Sequence, residues 1–218
     1  MIRKISREKI TQLLLQKEHG LTELREVYFD QMVGSVWWAV FKVGKTSGPR
    51  FLEIRNTMEA FAKLWPGKFY ILVDEDIDIH DSDMVRWAIA SRCQPHRDCS
   101  VFRTDNPITL DFSLTPPATR RDAFFLEGEE TFDSSSLLID ARMQWPYPPL
   151  SLPSKEIMEN ALRKWQQLGL PRLGSLKNPW FGYNLGDWSE EEQDEASIAL
   201  QSRSADVGDR LKKRRKTI

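Results

Sequence analysis

Cysteine is scarce, with Cys93 and Cys99 the only two among 218 residues. So few thiols make no disulfide framework and agree with a reducing compartment. Long apolar runs are missing as well: none approaches the roughly 20 residues that a membrane helix needs. The opening MIRKISREK lacks the apolar stretch of a secretory signal. Neither sign of charge dominates, since 31 Lys and Arg face 32 Asp and Glu for a formal net charge of -1. No overall field therefore points to nucleic acid or to a strongly acidic partner. The chain also lacks a G-x-S-x-G elbow, a complete phosphate-binding loop and a G-x-G-x-x-G fingerprint. GKTSG at Gly44–Gly48 is half of such a phosphate loop without its upstream glycine, and reads as a connecting loop. No internal repeat is visible. These absences predict a soluble, cytoplasmic protein with neither a membrane nor a nucleic acid as partner.

What is present centres on Lys68–Arg92. Phe69, Tyr70, Ile71, Leu72 and Val73 form an apolar run that predicts a strand buried on both faces. Asp74, Glu75, Asp76 and Asp78 come next as an acidic turn. Past Asp81 and Ser82, either of which can cap a helix, Met84, Val85, Ala88 and Ile89 recur at helical spacing. Carboxylates suit that position, because the free N–H groups and dipole of a helix start favour negative charge. Buried strand, acidic turn and amphipathic helix together mean α/β architecture.

The rest of the chain extends this pattern. Ser6–Gly20 predicts a helix with Ile10, Leu13 and Leu14 as its apolar stripe and Leu15 beside it. LREVYFD and SVWWAVFKV read as strands, and Phe51, Ile54, Met58, Phe61, Ala62 and Trp65 predict a helix over Arg50–Trp65. Cys99–Asp105 reads as another strand, and Leu137–Ile139 as a short buried one ending on Asp140. The alternation predicts a mixed sheet with helices on both faces, a three-layer α/β/α domain. Asn106–Ser136, with Pro107, Pro116 and Pro117, reads as a long loop, either functional or a surface insertion. Ile157, Met158, Ala161, Leu162 and Trp165 predict a helix from a Ser154 cap to a stop at Gly169. An aromatic segment over 176–188 then reads as a docking strip, with Trp180, Phe181, Tyr183 and Trp188 expected at an interface. The charged tail over 189–218 has little to bury, so disorder or a loose helix is expected there. Its basic run Lys212–Lys216 reads as a solvated end.

Two clusters invite a metal. The acidic turn lacks the glycine and terminal glutamate of a calcium loop. Cys93, His96 and Cys99 supply three soft ligands, one fewer than structural zinc takes. Neither is read as a metal site.

VDEDIDIHDSDMVRWAIASRCQPHRD also resembles the C-terminal domain of the UbiD-type decarboxylases. There a hydrophobic strand enters a D-D-D-I-D turn, followed by W-A-(I/L)-(A/S)-(T/S)-R and P-x-R-D. The matching positions are Asp74, Glu75, Asp76, Ile77, Asp78, Trp87 to Arg92, Pro95, Arg97 and Asp98, with Glu75 where Asp is commoner. Leu137–Ala141 is similar to the family's I-D-A-T strand, with Arg142 in place of Thr, and Trp145–Pro146 matches its K-W-P. The resemblance implies an architectural acidic turn that pairs with Arg92 or Arg97. It places the domain at 1–175 and implies the role of C-terminal module or subunit of a carboxy-lyase acting on aromatic or α,β-unsaturated acids. Such a module closes the active-site cleft and mediates oligomer contacts. Prenylated FMN, a divalent metal and potassium belong to the family's cofactor-binding half, for which this chain has no room. A separately encoded half, a full-length relative or self-association is then the expected partner, and the chain alone is expected to be inactive, with no catalytic, cofactor or metal residue of its own. The implied substrate pocket comprises Asp140, Ala141, Arg142 and Met143, joined by Asp105, Asn106 and Pro107 from another strand end. A non-catalytic interaction or regulatory protein that keeps the fold is the alternative.

Overall fold

The computed structural model describes residues 2–33, 37–103, 111, 113, 134–145, 147, 155–171 and 190–215. Its chain divides into two compact units, Met1–Trp145 and Pro146–Ile218.

The first unit is a five-stranded mixed sheet between helices. Its elements are α1 (Ile2–Glu18), β1 (Leu24–Phe29), β2 (Trp38–Val43), α2 (Pro49–Leu64), β3 (Phe69–Asp74), α3 (Ser82–Arg92), the single turn α4 (Pro95–Asp98), β4 (Cys99–Arg103) and β5 (Ser135–Ala141). The strand order is β1-β2-β3-β5-β4. β3 is central and lies parallel to both neighbours, pairing Phe41 with Leu72 on one side and Leu72 with Asp140 on the other. The edge strands β1 and β4 run antiparallel to theirs. The predicted mixed α/β/α sandwich is what forms.

Side-chain alternation assigns the faces. Val27, Phe29, Phe41, Tyr70, Leu72 and Leu138 pack with Leu15 of α1 and with Ile54, Met58 and Phe61 of α2. Val40, Ile71, Val73 and Ile139 point the other way and are buried together with Met84, Val85 and Ala88 of α3. The α2 helix starts at a left-handed glycine, Gly48 at φ 59°, with Pro49 as its first residue. Asp81 caps α3 by accepting from the Asp83 and Met84 N–H groups.

α1 departs from the expected stripe. Leu15 and Thr11 are buried and Leu14 packs half-buried against the core, whereas Ile10 and Leu13 are exposed. The reason is a polar row at four-residue spacing. Glu8 accepts from the Phe29 N–H at 3.0 Å, while Gln12 and Gln16 donate to the Arg25 and Leu24 carbonyls at 2.7 and 2.8 Å. These bonds satisfy backbone groups of the edge strand β1 and turn the helix accordingly. β5 is longer than expected, because Ser136 and Ala141 also pair, and Ser136 Oγ donates to the Gly67 carbonyl at 2.7 Å.

The second unit contributes α5 (Lys155–Gln167), α6 (Glu190–Leu200) and α7 (Ser204–Arg215). Past the end of α5 the chain turns at Gly169, φ 62°, and the Trp165 indole N–H donates to the Pro171 carbonyl. α6 and α7 pack on each other, so the charged tail is helical where described. The aromatic strip at 176–188 lies outside the described residues.

Candidate functional site

β3 and β5 are parallel neighbours, and both deliver an aspartate at their carboxyl ends, Asp74 and Asp140. Such ends are where open α/β sheets usually present ligands. Here they are crossed by two fully buried arginines. Arg92, from the last turn of α3, donates to Asp74 at 3.1 Å and to both oxygens of Asp76 at 2.9 and 2.6 Å. Its guanidinium lies 5.2 Å from the Trp87 ring centre. The pairing expected for the acidic turn is thus made with Arg92, while Arg97 turns to Asp98.

Arg142 donates through Nε and Nη2 to the two oxygens of Asp140, both at 2.8 Å. Nη2 also reaches the Phe51 carbonyl at 2.9 Å, and the guanidinium stacks 4.0 Å from the Phe51 ring centre. Thr46, within GKTSG, accepts from Nη1 at 3.5 Å. The fixed charge is met by a buried acid, and its donors point inward.

Asp98 is a third buried anchor. It accepts from the Gln94 N–H at 2.8 Å, from Arg97 twice at 2.9 Å, and from the Gln144 side chain at 2.5 Å. Met143 N–H donates to Asp74 at 2.7 Å. Three consecutive residues after β5 are therefore tied to three different acids: Arg142 to Asp140, Met143 to Asp74 and Gln144 to Asp98. The loop leaving β5 is held at every step.

Burial raises Asp74 to about 6, and the nearby Asp76 charge adds to this, against the opposing Met143 N–H and Arg92. Burial also acts to raise Asp98, but the Arg97 and Gln94 bonds win and hold it below the usual carboxylate range. Two carboxylates of one network are thereby pushed apart.

Of the residues singled out in the sequence, Asp140, Ala141 and Arg142 come together and are buried, and Met143 is half-buried at the loop's surface. Asp105, Asn106 and Pro107 lie outside the described residues. Sequence reasoning missed Gln144, Thr46 and the Phe51 carbonyl as partners. Only the strand-end aspartates gave a signal, and it named no partner.

The described residues do not fit a divalent metal. No three His, Cys, Asp or Glu side chains converge among them, and the Arg92 guanidinium occupies the place between Asp74 and Asp76 that a cation would take. The cavity beside β1 and β2 does not fit a flavin. It lies where Tyr28, Trp38 and Val40 face Ile79, His80 and Val85, and its volume of about 180 Å³ is below the roughly 300 Å³ at which ligand pockets begin. In its wall His80 bonds Glu26 at 2.8 Å and stands edge-on to the Tyr28 ring. Burial alone would raise Glu26; the His80 and Lys42 contacts keep it low.

The model of the 3-octaprenyl-4-hydroxybenzoate carboxy-lyase C-terminal domain matches residues 2–141. This chain belongs to the UbiD C-terminal-domain family. The chain is also similar, at low identity, to solved UbiD-class structures. HmfF from Pelotomaculum thermopropionicum, in complex with prFMN, is 21% identical with a TM-score of 0.47, over 69% of this chain and 28% of that one. The 3,4-dihydroxybenzoic acid decarboxylase of Enterobacter cloacae is 21% identical, TM-score 0.48, over 71% and 32%. The vanillic acid decarboxylase of Sedimentibacter hydroxybenzoicus in its closed form is 18% identical, TM-score 0.45, over 72% and 31%. The chain thus spans about a third of the length of these UbiD relatives. Among the described residues, no helix of this UbiD-family chain is long and apolar enough to cross a membrane.

Proposed function

We propose that this chain supplies the C-terminal domain of a prenylated-FMN-dependent carboxy-lyase acting on aromatic or α,β-unsaturated carboxylic acids in the cytoplasm. The family match over residues 2–141 carries this reading. In such an assembly the cofactor-binding part lies outside these 218 residues, and there prenylated FMN, with its divalent metal and potassium, supplies the electron sink for decarboxylation. The domain covers the active-site cleft and shares in oligomer contacts.

Within that reading, the loop from Asp140 to Met143 forms the cleft wall nearest the acid, with Asp105–Pro107 beside it. Asp140, Ala141 and Arg142 are buried, so their part is to set the loop's position, and Met143 is the residue that meets the substrate. The anchoring of residues 142, 143 and 144 to three acids supports this division. A rigid wall favours catalysis because misplacement by about 1 Å can cost on the order of a hundredfold in rate.

The test is purification from cells that make prenylated FMN, alone and with the cofactor-binding region encoded in the same genome. The chain alone should carry no flavin absorbance and release no carbon dioxide from a panel of aromatic acids. The co-purified complex should do both. Turnover by the chain alone refutes the division of labour. Stable capture of a full-length relative without a change in its turnover favours the interaction-protein reading.

A further inference from the structure

The two cysteines stand at the two ends of α4, where Cys93 ends the α3 helix and Cys99 opens β4. Their Sγ atoms are 3.6 Å apart and both are free thiols. We propose that Cys93 and Cys99 are a modification site: an intramolecular disulfide formed reversibly by exchange with a small-molecule disulfide of the glutathione class.

The backbone between them brings the thiols together. Gln94 and Asp98, the residues just inside the pair, are joined reciprocally: Gln94 N–H donates to the Asp98 carboxylate at 2.8 Å, and Asp98 N–H to the Gln94 carbonyl at 2.8 Å. Pro95 opens the turn between them with a fixed φ. Asp98 is in turn held by Arg97 and Gln144. The thiols are therefore presented to each other before any bond forms, with 3.6 Å to close to the 2.03–2.05 Å of a disulfide.

Exposure sets the order of events. Cys99 is half-buried while Cys93 is buried, so the Cys99 thiolate attacks one sulfur of the incoming disulfide. That disulfide's S–S bond breaks, and one glutathione leaves as its thiolate. Cys93 then gives its proton to solvent and attacks the Cys99 sulfur, breaking the mixed disulfide and expelling the second glutathione. Two protein thiols are oxidised, and one glutathione disulfide is reduced to two glutathiones. Burial and the neighbouring Cys99 push the Cys93 thiol up to about 12, which slows the second step by making its thiolate scarce; the 3.6 Å separation of the two sulfurs is what drives that intramolecular attack. The product ties the end of α3 to the edge strand β4.

The full chain equilibrated with glutathione disulfide, acid-quenched, and read by intact mass and non-reducing electrophoresis tests this. The expected result is loss of both thiols and two hydrogens, no glutathione adduct, a monomer band, and full reversal by dithiothreitol. Cys93→Ala should trap a glutathione adduct on Cys99, and Cys99→Ser should stay reduced under the same treatment. A persistent adduct on the wild-type chain, an interchain disulfide, or a wild-type chain that keeps both thiols under glutathione disulfide alone overturns the proposal.

Discussion

Against α1 and α2 the sheet is held by apolar side chains packed on apolar side chains, whereas at the carboxyl ends of β3 and β5 it is held by buried acids and arginines. The first region works by area and volume, which many residue combinations supply. The second works by geometry, because a buried charge without its partner is costly. One sheet thus carries a tolerant half and an intolerant seam, and the seam is the part that fixes the loop after β5.

The sharpest way to break the contrast is to remove one partner in the seam. Arg142→Met should lower unfolding free energy by about 3–5 kcal/mol, since it leaves Asp140 buried and unpaired. Asp140→Leu combined with Arg142→Met should recover most of that loss. Urea titration of the wild type and both variants measures it, and a single mutant as stable as the double contradicts the account.

Next in size is the pH response of Asp74. Its carboxyl titrates near 6 when folded, against an ordinary 3.8. Between those values the folded chain holds the proton and the unfolded chain does not, so unfolding releases it. Stability from this group is complete below 3.8 and is lost as pH rises through about 6. The change is of order 2–3 kcal/mol. Asp74→Asn should remove this pH dependence, so that the wild-type-minus-mutant difference falls as pH rises across that window, as read from denaturant midpoints at successive pH values; parallel curves would refute it.

The tolerant half should yield a smaller effect. Ile54→Val, in the α2 face of the core, should cost about 0.5–1.5 kcal/mol with the fold and its cooperativity intact. A loss as large as that of Arg142→Met would erase the distinction between the regions.

The smallest effect belongs to the surface. Arg50 bonds both oxygens of Glu23 at 2.8 and 2.7 Å and lowers its pKa from 4.5 to about 2. That stabilisation is present above 4.5 and is lost as pH falls through about 2. Glu23→Gln should cost about 0.2–1 kcal/mol at neutral pH, less in high salt. Thermal melts at two ionic strengths give the number.

Legibility in the sequence ran along the same division. The apolar half could be read because period and composition carry it: the Phe69–Val73 run and the Phe51–Ala62 stripe became β3 and the buried face of α2. α1 misled because its orientation rests on Glu8, Gln12 and Gln16, whose backbone partners on β1 lie 8 to 21 positions away. In the seam, the acidic turn and Arg92 could be matched through a family resemblance. The lock on Arg142 could not, since Thr46 and Phe51 are 96 and 91 positions distant.

By itself, the sequence determined the kinds of element, their order and the family, because local periodicity and a run of matched motif residues are contained in contiguous stretches. Only the tertiary structure decided that β5 inserts between β3 and β4. That insertion sets Asp140 beside Asp74 and lets three consecutive loop residues find three separate acids. Strand order and buried charge pairing depend on which distant segments meet, and the desolvation that makes those pairs compulsory exists only once they have met.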